Sequence, residues 1–487
     1  MPVYEELGEA ERRLWEAFPQ GAELDLRGEP DTVVRAEVVA ALLLGAGPAA
    51  AAGRVGGLRL TGARVTGRLD LAGATVDLPV QFTACTFDEQ VVLRGASLRS
   101  TTFLGCGFPG LDGWLLRVDG NFFLEDSVVD GRLTLTRAHI AGELRLSGVR
   151  LTATERLGPD AATEPAWALW AGGLVMEGGC FARKGFHSRG GLRLVGAEFG
   201  GGLFMEHAVL DNPGGDALTG DDLTASTMIL ADGFTARGAV RLPGATVRSK
   251  LSLDGAVLHG DGTTALDATR LTAGDLHLTP AARPGGTVDL RDAQITVIHD
   301  NAHGRAAGTR LDGLAYTSLQ GATGLAERLA WLTGTPGYTP QPYEQLAAWY
   351  RRIGHDDDAR RVLLAKQRRR RRTLHPLGRA WGGILDVTVG YGYRPWQAAL
   401  WLLALVAAGT VAFGHGGRPS AAQPGQGAPF NPLIYTVDLL IPIGGFGQRT
   451  AWYWTDAHQW LGYALVAAGW ILTTAAVAGV TRSLNRT

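Results

Sequence analysis

Apolar residues recur every eleven positions through most of the first 300 residues. Leu58, Leu60, Ala63 and Val65 are followed by Leu69, Leu71, Ala74 and Val76. Leu133, Leu135, Ala138 and Ile140 pass to Leu144, Leu146, Val149 and Leu151, and Leu192, Leu194, Ala197 and Phe199 to Leu203, Met205, Ala208 and Leu210. Val240, Leu242, Ala245 and Val247 lead to Leu251, Leu253, Ala256 and Leu258; Val288, Leu290, Ala293 and Ile295 end the series. The steps are two, three, two and four. A step of two returns a side chain to the same side of an extended strand. The longer steps turn corners, where Gly62, Gly67, Gly73, Gly142, Gly196 and Gly255 fall; glycine accepts positive φ and close backbone approach. A helix would need steps of three and four throughout. A short strand buries its apolar side only when the next coil stacks on it. The pattern therefore predicts a mainly β chain whose residues 50–300 form a parallel β-solenoid. It leaves open the handedness and whether a full coil holds two eleven-residue units.

Four stretches break the spacing, 153–172, 211–232, 259–275 and 300–341, and are expected to loop out from coil edges. Solenoid ends need caps. Residues 1–49 are expected to supply one, with a helix over Tyr4–Phe18 and a second, capped by Asp31, over Thr32–Leu44. The N-terminus is acidic and amphipathic, unlike a signal peptide. Cys85, Cys106 and Cys180 are widely spaced, with no C-x-x-C, and read as core thiols.

With 46 Lys and Arg against 47 Asp and Glu, no global field favours nucleic acid. The charge is uneven, however. Lys366 and Arg368, Arg369, Arg370, Arg371 and Arg372 form a dense basic block. It lies in a segment, 342–373, that reads as a helical hairpin turning at Gly354-His355-Asp356; its Tyr…Gly…Ala spacing resembles one tetratricopeptide unit. Residues 301–341 are expected to be an irregular linker, and 342–394 the hairpin plus a juxtamembrane connection.

No residue is charged from Trp396 to Phe413, nor from Gln459 to Val480. Each run approaches the roughly 20 apolar residues that cross a bilayer. Transmembrane helices are expected at 395–415 and 459–481. The basic block before the first and Arg482 and Arg486 after the second place both termini in the cytoplasm of a multi-pass plasma-membrane protein. The block itself is a candidate contact for anionic lipid headgroups.

The segment 416–458 would then lie outside. It carries Asn431, a good N-cap, and Pro432, a good first helical residue, ahead of a half-helix over 431–441. Such a helix covers about 15 Å, half a bilayer. It either lies on the interface or re-enters a protein-lined cavity. Span, half-helix, Gly-rich turn and span together loosely resemble the pore module of two-span cation channels, over about 85 residues. That resemblance makes Tyr435, Thr436, Asp438, Gly444, Gly445, Phe446 and Gly447 a candidate pore segment, in which backbone carbonyls would do the ion work. A literal T-V-G-Y-G at Thr388–Gly392 precedes the first run and is assigned to the connection.

Three blocks carry a wider resemblance: V-R-A-E-V-V-A-A-L-L-L-G (Val34–Gly45), the L-x-L-x-G-A coils, and Y-E-Q-L-A-A-W-Y-R-R-I-G-H with A-R-R-V-L-L-A-K-Q-R-R-R-R ahead of Y-G-Y-R-P. Together they resemble actinobacterial membrane proteins often labelled "membrane-associated oxidoreductase", related to pentapeptide-repeat-like proteins. The resemblance supplies no catalytic residues.

The residues themselves display no catalytic motif: no G-x-x-x-x-G-K-[ST], no H-E-x-x-H, no G-x-S-x-G. Outward carboxylates such as Asp70, Glu143, Asp254 and Asp289 show no pair spacing. His299, Asp300 and His303 form a conceivable metal cluster, with ordinary surface histidines the alternative. No catalytic residue, cofactor or metal is assigned. Three functions follow as expectations: a membrane-tethered solenoid acting as an interaction, scaffold or sensing module for a protein partner or second copy; an oligomeric pore-loop channel gated by the solenoid; or an oxidoreductase, as the family label implies.

Overall fold

A computed structural model describes residues 4–50, 52–152, 167–304, 308–321, 324–334, 337–376, 395–417, 419–423, 428–441 and 445–484. The chain divides into two compact units, Met1–Gln345 and Leu346–Thr487.

The first unit is a parallel β-solenoid of about 11 turns. A coil contributes four short strands, as at Val80–Thr83, Thr86–Phe87, Val91–Val92 and Ser97–Leu98. The first and last of these join a 20-stranded sheet and the middle two a 17-stranded one. Leu58 lies opposite Val80, and Phe122 opposite Leu144, in parallel register. One coil is therefore two eleven-residue units. The inward positions named above are buried, with Ala74 alone among them half-exposed.

Two different demands fall on the glycines. Gly73, Gly196 and Gly255 take positive φ at the three-residue step, but Asp126, Arg137 and His207 adopt the same conformation at other corners. The turn repeats more strictly than the residue. Gly142 has no positive φ; instead, a Cβ there would meet the Gly120 carbonyl oxygen at 2.5 Å. Gly178 meets Gly142, and Gly201 meets Gly178, in the same way. A column of glycines thus lets successive coils approach more closely than any side chain would permit. Inside, Phe82 stacks on Phe103 at 5.3 Å and Phe87 on Phe108 at 5.0 Å. Cys85, Cys106 and Cys180 are free and buried.

The parallel pairing starts before residue 50. Glu23–Asp25 pairs with Leu58–Thr61, and Val33–Arg35 with Arg64–Thr66. Because the sheet takes Val33–Arg35, the second helix begins later than expected: α1 is Glu9–Ala17 and α2 is Ala36–Leu43. Asp31 does not cap α2; its Oδ1 accepts the Val33 N–H at 3.2 Å. Buried Glu11 ties the cap together, accepting the backbone N–H of Arg35 (2.9 Å), its Nε (2.8 Å) and Nη2 (2.8 Å), and the Gly8 N–H (2.9 Å). Burial alone would raise that carboxyl's pKa, but these hydrogen bonds outweigh it and hold it below the ordinary value.

Pairing also continues past residue 300. Ala315–Gln320 adds to Gln294–Asp300, so 301–341 is not wholly irregular, and helix α3, Leu325–Thr333, follows. The first turn of α4, Gln341–Arg352, closes this end. Gln341 accepts the Gly313 N–H (3.0 Å) and donates to the Leu314 carbonyl (2.9 Å), and Gln345 donates to that of Tyr316 (2.7 Å). Residues 211–232 and 259–275 do not loop out either. They supply strands, with the extra residues absorbed as bulges such as that between Asp211 and Asp216. Trp167–Trp170 joins the sheet beside Leu133–Thr134, while 153–166 lie outside the described residues.

The second unit is helical. Asp356–Thr373 is α5, Pro395–His415 α6, Pro432–Leu440 α7, Gln448–Ala451 α8 and Ala457–Leu484 α9. Ser420–Ala421 and Trp452–Tyr453 pair as a small antiparallel ribbon. Both apolar runs are helical. Among the described residues, however, no helix is long and apolar enough to cross a membrane, so the two expected transmembrane helices are not found in that form. Within the runs, Gln397 and Thr410 in α6 and Gln459, Thr473 and Thr474 in α9 interrupt the apolar residues.

Candidate functional site

The half-helix α7 is built as its sequence suggests. The Asn431 side chain accepts the Leu433 N–H at 3.0 Å and the Ile434 N–H at 3.2 Å, and Pro432 opens the first turn. Glycines on two neighbouring helices seat it. A Cβ at Gly409 of α6 would meet Thr436 Cγ2 at 2.4 Å, and one at Gly469 of α9 would meet the Leu440 carbonyl oxygen at 2.2 Å. Gly414 faces Pro432 and Gly409 faces Thr436, so α7 runs antiparallel to α6. Gly416 meets His458 and Gly409 meets Leu465, so α9 is also antiparallel to α6, and α7 therefore runs parallel to α9. Its C-terminal end reaches about 18 Å along α9 from that helix's first residue. The half-helix is thus packed against both α6 and α9.

The candidate pore residues fall into separate roles. Tyr435 is buried edge-on against Phe413, with ring centroids 5.0 Å apart. Buried Thr436 donates to the Pro432 carbonyl at 2.7 Å. Asp438, fully buried, accepts the Phe446 N–H through one oxygen and the Arg449 N–H through the other, both at 2.8 Å. A Cβ at Gly445 would lie 2.6 Å from Asp438 Oδ1. The carboxylate and the absent side chain therefore fit each other. Phe446 projects outward, and Gly447, at φ +78°, starts α8. Gly444 lies outside the described residues, as does the T-V-G-Y-G segment. Sequence reasoning missed Gln448, which is buried, accepts the Asn431 N–H (3.4 Å) and donates to the Pro429 carbonyl (3.0 Å). It also missed Asp438 as the clamp on the turn. A carboxylate within an apolar half-helix had to find donors, and the Gly-rich turn behind it was the place to look.

The basic block occupies the last turns of α5, whose first turn is Asp356, Asp357 and Asp358. Acid at the N-terminus and base at the C-terminus both complement the helix dipole. Arg368, Arg370 and Arg372 are exposed; Lys366, Arg369 and Arg371 are half-buried.

On the solenoid, Asp70, Glu143, Asp254 and Asp289 are not brought together. Glu143 pairs with Arg145, Asp254 accepts from Thr279, and buried Asp289 accepts from Arg291. Burial pushes the Asp216 and Asp221 carboxyls above their ordinary pKa, with Arg241 pulling the other way. The His299, Asp300 and His303 trio is also not assembled, because strand alternation buries Asp300 while His299 faces outward. His299 instead stands beside His277, the residue opposite it on the preceding coil. With Asp275 they are a group whose ligand atoms all lie within 4.8 Å of one another.

No family model matches the chain, and no curated protein or solved structure matches it. The resemblance to actinobacterial membrane proteins rests on the sequence motifs alone.

Proposed function

We propose that the chain is a multi-pass membrane-associated protein that carries its β-solenoid as an interaction, scaffold or sensing module at the plasma membrane, with both termini cytoplasmic. One observation carries this reading: the helical unit is apolar on its outside as well as its inside. Leu400, Trp401, Leu403 and Val411 of α6 and Trp460, Tyr463, Trp470 and Ile471 of α9 are all exposed, Leu403 at 65% and Trp460 at 75%. A helix apolar all round needs cover from protein or lipid. The reading asks only that lipid cover this surface, with the basic end of α5 meeting anionic headgroups. It predicts that the full chain stays in the membrane fraction after high salt and alkaline carbonate and needs detergent for release. Release by salt or carbonate alone would refute it.

The packing of the half-helix against both α6 and α9 favours a second reading, a multimeric pore-loop channel. One copy of α6, α7 and α9 encloses no path, so the pore would need several copies around an axis. Reconstituted liposomes should then pass monovalent cations, and Gly445→Ala should abolish the flux by displacing Asp438. A monomer in both detergent and lipid would remove this reading.

A further inference from the structure

We propose that Asp275, His277 and His299 form a binding site for one divalent transition-metal ion of the zinc class on the outer face of the solenoid. The site is a product of coil stacking. Thr272–Leu278 and Gln294–Asp300 are neighbouring parallel strands, and His277 lies directly opposite His299. Neighbouring strands are about 4.8 Å apart, so residues in register place like side chains over one another. The two imidazoles sit 4.1 Å apart between ring centroids and tilt by 35°. Tilt opens one edge of the pair as a jaw. Asp275 is two residues before His277 and therefore on the same face of the strand. One ligand atom from each residue lies within 4.8 Å of the others. Around a tetrahedral zinc-sized ion, ligand atoms are about 3.3 Å apart, so small side-chain rotations close the set.

The donors select the metal. Two imidazole nitrogens and one carboxylate oxygen suit Zn²⁺, Co²⁺, Ni²⁺ or Cu²⁺, whereas Mg²⁺ and Ca²⁺ prefer oxygen throughout. Three protein ligands leave a fourth position for water or an incoming group. The surroundings are polar. Lys250 is opposite Asp275, and Ser252 opposite His277, on the coil before; Gln320 is opposite His299 on the coil after. All three ligands are half-buried, held by a rigid ladder yet open to solvent. An ion here would join two consecutive coils near the C-terminal end of the solenoid.

Tag-free full-length protein, titrated with Co²⁺ and then Zn²⁺, tests the site. Visible Co²⁺ absorption reports the ligand field, and equilibrium dialysis reports the stoichiometry. One Co²⁺ per chain, displaced by Zn²⁺, is expected. His277→Ala and His299→Ala should each weaken binding by at least about 10-fold, while His303→Ala, outside the set, should leave it unchanged. Should an alanine variant fail to fold, His277→Gln and His299→Gln, close to the native size, take its place, with circular dichroism confirming the fold. Binding that survives in the His277 and His299 variants, or no binding by the wild-type chain, overturns the proposal.

Discussion

Replacing Gly142 by alanine should destabilise the solenoid, although the same change at Gly107 should not. The contrast comes from the distance between coils. At Gly142 a Cβ would lie 2.4 Å from Asn121 Oδ1, 2.5 Å from the Gly120 carbonyl oxygen and 2.6 Å from its carbon. Two of these are backbone atoms of the coil below. Relief therefore requires opening the coil spacing by several tenths of an ångström, against the backbone hydrogen bond from the Gly142 N–H to the Gly120 carbonyl. Overpacking of this kind costs about 1–3 kcal/mol. The lower entropy of the unfolded alanine chain returns about 0.4–1 kcal/mol, leaving a net loss near 1–2 kcal/mol. At Gly107 the nearest atom to an added Cβ is Thr86 Cγ2 at 3.8 Å, and φ is not positive. Only the entropic gain remains, so Gly107→Ala should stabilise by about 0.4–1 kcal/mol. Hydrogen exchange of the full chain reads both, because solenoids open locally and amides on flanking coils report the local free energy. Equal protection in Gly142→Ala and wild type, or a loss in Gly107→Ala matching that in Gly142→Ala, would refute the stacking geometry.

Three further outcomes follow. The Glu11 carboxyl, held below its ordinary pKa, contributes its full stabilisation above the usual carboxylate range of about 4.3 and loses it as pH falls through the lower folded value; Glu11→Ala should cost about 2 kcal/mol at neutral pH, and a denaturation series showing no such cost would count against the cap. Asp438→Ala strips the acceptor from two backbone N–H groups and should cost about 2 kcal/mol in detergent melts, with Asp438→Asn, which keeps one carbonyl oxygen, losing less; equal losses would argue against the clamp. The three thiols should resist an aromatic disulfide reagent at pH 8 until the chain is denatured, since all are buried and burial pushes the Cys180 thiol up to about 12; rapid reaction in the folded chain would contradict their placement in the core.

The solenoid was legible because its signal is redundant. Leu133, Leu135, Ala138 and Ile140 repeat a spacing that a strand and a corner both require, and all four are buried. The ends were harder to read. Val33–Arg35 looks like the start of a helix until Arg64–Thr66 is known to need a partner strand. The last coil keeps the two, three, two steps at buried Thr309, Leu311, Leu314 and Tyr316 but opens on a polar threonine and slips the register by one residue, Tyr316 lying opposite Ile295. The half-helix was visible in Asn431 and Pro432, but its seating depends on Gly409 and Gly469, whose role appears only when α6 and α9 converge on it. The histidine pair was hidden for a similar reason. His277 and His299 are separated by one coil, and without the coil length nothing connects them; His303, closer along the chain, looked the better match.

Lipid cover of the helical unit is the claim on which the functional account stands. A photoreactive benzophenone side chain placed at Leu403, and separately at Trp470, in cells expressing the full chain tests it most directly. Cross-links to phospholipid acyl chains at both positions are the predicted result. Cross-links only to protein, or a labelled chain recovered from the aqueous fraction, would contradict it.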